Sequence, residues 1–175
     1  MEKAMGKIMT AAAETRAAAG TMTNFRWKIA FLIFLISFVA YMDRVNLSVA
    51  TPVIMQEFGF TKIDMGFIQT CFFASYALMQ VPGGILAEKF GMRKTGALAI
   101  LWWSVFTALT ALAKGKISFA AVRLAFGLGE GPVFPSLGAA TFTWFNKHEK
   151  GKASSSILLG TFFGPVVGPV ATVTL

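Results

Sequence analysis

The chain has 175 residues, of which 55% are hydrophobic, 14% aromatic and only 14% charged, with a formal net charge of +8. Soluble domains carry about 25% charged residues, and a soluble core of this size cannot hide five apolar runs of about 20 residues, so the composition is that of a membrane protein. The positive charge is dealt out between those runs, which argues against nucleic acid as a partner, and a single Cys71 and a single His148 leave no intrachain disulfide or Cys-based zinc centre to build.

Residues 1–26 read as a polar, alanine-rich cytoplasmic tail, with Lys3, Lys7, Arg16 and Arg26 ahead of the first apolar run. That run is too long for a signal-peptide core and ends in no small-residue cleavage site, while an organellar transit peptide stays open. Residues 27–175 read as an incomplete transmembrane domain with spans near 29–55, 65–87, 95–113, 117–145 and 153–175. At 1.5 Å per residue each crosses about 30 Å of hydrocarbon, and no ten-residue alternating strands point to a β-barrel, so an all-α bundle is expected.

Eleven of the sixteen basic residues fall on one side: the tail with Lys28, the EKFGMRK loop after the second run, and the NKHEKGK loop after the fourth. Lys62, Lys114 and Lys116 lie on the other, so the positive-inside rule places the N-terminus in the cytoplasm. The expected setting is a plasma membrane, in a bacterium the inner one, crossed several times. The fifth run stops without polar flank or aromatic anchor, and the chain is expected to be a fragment.

Four charges sit inside apolar runs: Asp43 and Arg44 in the first, Arg123 and Glu130 in the fourth. Charge at that depth is unfavourable by roughly 2.5–3.5 kcal/mol per residue, so such residues face a protein interior, pair, and line a substrate or proton path. Arg44 offers a planar fork for a carboxylate; the alternative is a local Asp43–Arg44 pair or a polar helix end. Arg123 and Glu130, seven apart, share one helix face with Gly127 between them. Glu130 there is placed to take and release a proton, unless it or Asp43 serves as a static counter-ion for Arg123. Tyr76 and Gln80, one turn apart and followed by Gly84, form a polar stripe that either meets substrate or bonds a neighbouring helix.

Gly160, Gly164 and Gly168 recur every fourth residue as a docking stripe, with Pro165 and Pro169 able to bend the helix; Pro132 and Pro135 are expected to distort the fourth span. GLGEG at 127–131 is neither a full G-x-G-x-x-G nor preceded by a strand, so no nucleotide site is expected. Cys71 reads as a packing residue and His148 as a solvated loop histidine. No cofactor and no metal site is expected.

The loop from Gly84 to Lys94 reads GILAEKFGMRK. Glu88 falls at a helix C-terminus, where the dipole disfavours an acid, and is expected to be held by an arginine or helix N-terminus elsewhere; Gly84 permits a close helix approach and Gly91 a positive φ. Gly84, Glu88, Lys89, Gly91, Arg93 and Lys94 together resemble the loop signature between helices two and three of the major facilitator superfamily. YMDRVNLSVATPVIMQEFGF, SYALMQVPGG, RLAFGLGEGPVFPS and WFNKHEKGKA resemble its anion:cation symporter branch, which includes permeases for glucarate, galactonate and hexuronates and carriers of sialic acid and other organic anions.

The resemblance implies about twelve helices in two halves, of which this chain supplies about five of the N-terminal half; the partner half, a small organic anion, a proton or sodium ion and the bilayer are the implied partners. It favours Tyr76 as a substrate contact, beside Arg44 and Gln80 expected from their own chemistry, and implies Asp43, Arg123 and Glu130 as a proton-coupling cluster; Gly84, Glu88, Lys89, Gly91, Arg93 and Lys94 are expected to form a gating loop. Two other classes are weighed. Asp43 and Glu130 could share a proton in an intramembrane protease, but two basic residues accompany them and the loop has no role there. A five-span accessory subunit would use the glycine stripes to bind another membrane protein.

Overall fold

The computed structural model describes residues 25–173, side chains through Val170, and its described residues fold into six helices: α1 (Phe25–Phe58), α2 (Lys62–Phe90), α3 (Met92–Thr110), α4 (Lys116–Glu130), α5 (Val133–Trp144) and α6 (Lys150–Val173). Most of the 1–26 tail lies outside the described residues. Four helical runs, 25–58, 62–90, 116–144 and 150–170, are long and apolar enough to cross a membrane. α3, which is not among these four, is 19 residues long and begins three residues before the expected 95–113 run, because Gly91 ends α2 with a φ of +87° and Arg93 and Lys94 enter the first turn of α3.

The helices begin and end where local chemistry dictates. Gly59 takes a φ of +67° after α1, and Thr61 caps α2 through its hydroxyl to the Asp64 amide (3.2 Å) while the Asp64 carboxylate returns to the Thr61 amide (2.9 Å). Lys116 of α4 forms an ion pair with Asp64, joining two helix ends on that side of the bundle. At the opposite end Arg26 of α1 meets Glu149 at 2.9 Å.

The expected fourth span is two helices. Pro132 and Pro135 have no amide hydrogen, which removes the donors that would serve the carbonyls of Leu128 and Gly131, so the helix breaks directly after Glu130. α2 lies against this break. A Cβ on Gly83 would stand 2.6 Å from Pro132 Cα, whereas one on Gly84 would meet only Pro135 Cβ at 3.8 Å. Gly83, not Gly84, is therefore the residue whose missing side chain lets the helices touch.

α4 runs along α2 and α6 along α1, and small residues make both approaches possible. A Cβ on Gly127 would fall 2.5 Å from the Phe72 carbonyl oxygen, and one on Gly160 would fall 2.5 Å from the Phe34 carbonyl oxygen and 2.8 Å from the Phe38 amide. The 160–164–168 stripe thus docks on α1, as its spacing suggests. Gly160→Ala forces backbone apart and is expected to destabilise the bundle by about 1–3 kcal/mol. Gly151→Ala, with nothing within 4 Å of the new carbon, is the control; equal melting temperatures for the two variants in detergent would place the stripe outside the tight interface.

The core joins Ile33 and Ala40 of α1, Phe72 of α2, Ala99 and Trp103 of α3, Phe126 of α4 and Val133 and Leu137 of α5. A second cluster, Met65, Ile68, Ala113, Phe119 and Ala120, seals the end near the α1–α2 turn, and the half-buried Cys71 packs against it. His148 is exposed between α5 and α6. Large apolar side chains such as Phe31, Leu98, Val105, Phe162 and Val166 remain exposed, a surface suited to lipid or to further helices.

Candidate functional site

Asp43 and Arg44 lie near the middle of α1, and the close α2–α4 packing brings Glu130, the last residue of α4, to the same depth. Arg44 Nε donates to Glu130 Oε1 at 2.8 Å, and Nη2 stands 2.7 Å from the same oxygen. Both nitrogens converge on one oxygen, and the Nη2 approach is too bent for a hydrogen bond, so it contributes as an ion pair. Glu130 is fully buried and its Oε2 has no partner among the described residues.

Four rings surround the Arg44 guanidinium: Tyr76 at 4.5 Å, Tyr41 at 4.8 Å, Phe72 at 5.5 Å and Phe134 at 5.8 Å. Helical spacing explains the grouping, since Tyr41 precedes Arg44 by three residues and Phe72 precedes Tyr76 by four. The rings stabilise the cation through their faces and exclude water from the ion pair. Tyr76 thus belongs to the site. Gln80, one turn further along α2, is half-buried and does not line the adjacent cavity.

Asp43 turns the other way. Its Oδ2 accepts a 2.7 Å hydrogen bond from the indole Nε1 of Trp103, a residue of α3 that is only 3% exposed. Residue spacing contains no sign of this bond, because it joins positions 60 apart through the packing of α3 on the core. Trp103→Phe keeps most of the ring and deletes the donor, and is expected to destabilise by about 1.5–3 kcal/mol. A double-mutant cycle with Asp43→Asn, read by thermal melts, tests the bond: additive losses would mean that the two side chains do not interact.

Arg123 is buried on α4 over the Phe126 ring, 5.1 Å from its centroid, and its Nε has no partner. The seven-residue spacing brings Arg123 and Glu130 to one helix, but the direct partner of Glu130 is Arg44. A cavity of ≈ 350 Å³ opens beside Arg44 and Arg123, with Tyr41, Ser48, Gln69 and Phe72 in its wall. Gln69 was not singled out from the sequence, although it precedes Tyr76 by seven residues and therefore shares its face of α2.

The loop residues are not part of this cluster. Glu88 lies twelve residues beyond Tyr76, about 18 Å along α2. Glu88, Lys89, Gly91, Arg93 and Lys94 are exposed, and Glu88 forms no ion pair among the described residues; Lys89 sits over the Phe90 ring at 5.7 Å. The turn itself is tied by Thr95, whose amide donates to the Gly91 carbonyl (3.1 Å) and whose hydroxyl donates to the Leu86 carbonyl (3.1 Å). No three His, Cys, Asp or Glu side chains converge among the described residues as a metal site would need.

A buried Arg–Glu pair thus lies at mid-helix depth beside a cavity, and an exposed basic loop follows the second helix. Residues 33–175 match the Major Facilitator Superfamily family model. The chain belongs to the major facilitator superfamily. Members of this superfamily are transporters rather than enzymes, and the chain forms an all-α, N-terminal part of the superfamily's membrane bundle. It is 37% identical over 139 residues to a D-galactonate transporter of Escherichia coli, covering 79% of this chain and 32% of that one. It is 34% identical over 159 residues to a probable galactarate/D-glucarate transporter of Bacillus subtilis, covering 85% and 34%. A probable sulfoacetate transporter of Cupriavidus necator is 38% identical over 147 residues, covering 81% and 34%. The chain therefore spans about a third of the length of the curated relatives it matches. The crystal structure of a bacterial homologue of the human lysosomal transporter Spinster, inward-facing and occupied, superposes with a TM-score of 0.76 at 21% identity, over 83% of this chain and 32% of that one.

Proposed function

We propose that this chain is part of a secondary active transporter that moves a small organic anion, of the sugar-acid kind, together with protons by alternating access. The observation that carries the reading is the buried Arg44–Glu130 pair, whose arginine stands in the wall of the cavity. An arginine already desolvated and held by a carboxylate exchanges one anionic partner for another at little net change in solvation. Protonation of Glu130 releases Arg44 to a substrate carboxylate, and loss of that proton draws Arg44 back. Substrate and proton then occupy the site together.

In this mechanism Arg44 grips the anion, Tyr76 shapes and dries its surroundings, and Gln80 reaches the substrate in a different conformation of the carrier. Asp43, held by Trp103, and Arg123 complete a cluster of two acids and two bases whose formal charges cancel when all are ionised. A second helical half supplies the facing wall, and the loop of Gly84, Glu88, Lys89, Gly91, Arg93 and Lys94 meets that half as the two rock; Glu88, exposed on this half, waits for its partner there. Sugar-acid names among the relatives and the basic bias of the loops support an anion carrier in a plasma membrane, with the N-terminus in the cytoplasm.

Uptake of labelled D-galactonate into proteoliposomes holding the full-length protein tests the reading. Accumulation that follows an imposed pH gradient, and collapses when a protonophore removes it, is the expected result. Uptake that follows a sodium gradient alone would replace the proton with sodium, and no uptake of any sugar acid would remove the anion-carrier assignment.

A further inference from the structure

Asp43 and Arg44 are consecutive residues of α1, yet they serve different cavities. A helix turns by about 100° per residue, so neighbouring side chains leave it in different directions. Arg44 lines the ≈ 350 Å³ cavity together with Arg123. Asp43 lines another, of ≈ 310 Å³, between α1 and α3, whose wall is otherwise apolar apart from the Trp103 indole and the hydroxyls of Ser104 and Thr107. No residue lines both.

Charge alone would not leave Asp43 there. The charged groups that act on it are Arg123 and Glu130 of α4, with Arg44 next to it in the chain. α3 has no charged residue after Lys94, α5 has none, and α2 and α6 carry theirs only near their ends. An ionised carboxylate in these surroundings is drawn to Arg123, whose Nε has no partner. Instead Asp43 Oδ2 accepts from Trp103 Nε1 at 2.7 Å. An indole N–H donates and cannot accept, so the bond is strongest while Asp43 is ionised, about twice as strong as one between neutral groups. Trp103 is itself held fast, 3% exposed in the core with Ala40, Ala99 and Phe126.

We propose that Trp103 is a positioning residue for Asp43: its indole turns the ionised carboxylate to the α1–α3 side and so keeps negative charge out of the cavity that Arg44 lines. This rests on the anion-transport reading above and adds how two carboxylates at one depth keep separate tasks. Glu130 holds Arg44 and competes with the anion directly. Asp43 is kept away from the anion while ionised; once it takes a proton the bond from the indole weakens, and the neutral carboxyl no longer repels.

The KM for exchange of labelled D-galactonate, measured against pH in proteoliposomes holding the full-length protein, tests the role. Trp103→Phe frees an ionised Asp43 to turn towards Arg123, so a like charge meets the arriving anion and KM is expected to rise by about tenfold at alkaline pH. The rise should shrink as acid protonates Asp43. In an Asp43→Asn background the same substitution should change KM by less than about twofold at every pH, because no carboxylate is left to release. Trp102→Phe is the comparison on the same helix: Trp102 Nε1 donates to the Ala125 carbonyl of α4 at 2.8 Å, so any effect of its loss should not vary with pH. A Trp103→Phe KM that matches the wild type at all pH values overturns the positioning role and leaves the transport reading intact. So does a rise that is independent of pH and survives in Asp43→Asn. No exchange of any sugar acid by the wild type overturns both. Should Trp103→Phe fail to fold, infrared difference spectra between acid and alkaline pH need only the wild type and Asp43→Asn. An indole N–H band that shifts with pH in the wild type and not in Asp43→Asn is expected, and a wild-type spectrum without such a shift overturns the role.

Discussion

Arg44→Ala is expected to abolish anion binding, with uptake and counterflow at background in proteoliposomes. The guanidinium stands where α1, α2, α4 and α5 converge, fixed by Glu130 on one side and ringed by Tyr41, Phe72, Tyr76 and Phe134. No other described cation combines that rigidity with a cavity wall, since Arg123 lacks a partner to orient it. Alanine also strips the fully buried Glu130 of its only direct partner among the described residues, and truncating one member of a buried pair destabilises by about 3–5 kcal/mol. Loss of function from misfolding must therefore be separated from loss of binding. The double variant Arg44→Ala/Glu130→Gln leaves no stranded charge, so its melting temperature should recover most of the loss while substrate still fails to raise it. Arg44→Lys keeps the charge without the planar fork, and KM is expected to rise by about tenfold or more. Uptake by Arg44→Ala within about twofold of wild type would take Arg44 out of the anion site.

Features set by short stretches of chain were legible in the sequence. Apolar runs of spanning length give the helices, the glycine at the end of the EKFG turn carries the positive φ it was expected to carry, and the four-residue glycine period marks the α1–α6 contact. The prolines after Glu130 announced distortion, and the helix indeed breaks there. What could not be read is which helices meet and at what register. Residue spacing couples Glu130 to Arg123, yet its partner is Arg44, 86 residues away, because Gly127 and Gly131 let α4 settle against α2 and bring the end of α4 under α1. The same kind of long-range packing delivers Trp103 to Asp43. Gln69 was within reach of sequence reasoning through its seven-residue spacing from Tyr76, but a lone amide in an apolar run carries no weight until a cavity appears beside it.

Glu130→Gln carries the second large effect, and it is one of coupling rather than of binding. Glutamine has nearly the volume of glutamate and keeps a carbonyl oxygen where Oε1 accepts from Arg44 Nε, so the bundle and the aromatic cage should persist. It cannot gain or lose a proton. With Asp43 and Glu130 ionised the cluster of Asp43, Arg44, Arg123 and Glu130 is formally neutral, and an arriving anion must compete with a carboxylate for Arg44; with glutamine in place and Asp43 ionised the site carries one net positive charge and the competitor is gone. Anion binding is then expected to be retained or tightened, and exchange of labelled for unlabelled anion across the membrane to continue. Accumulation driven by a pH gradient should fall to background, because unloading no longer depends on a proton leaving this position. The contrast between the two assays is the diagnostic. Arg44→Ala silences both, whereas Glu130→Gln silences only the one that requires the gradient to do work. Undiminished gradient-driven accumulation in Glu130→Gln would assign the coupling proton elsewhere, with Asp43 beneath the Trp103 indole the next carboxylate to test by Asp43→Asn in the same pair of assays.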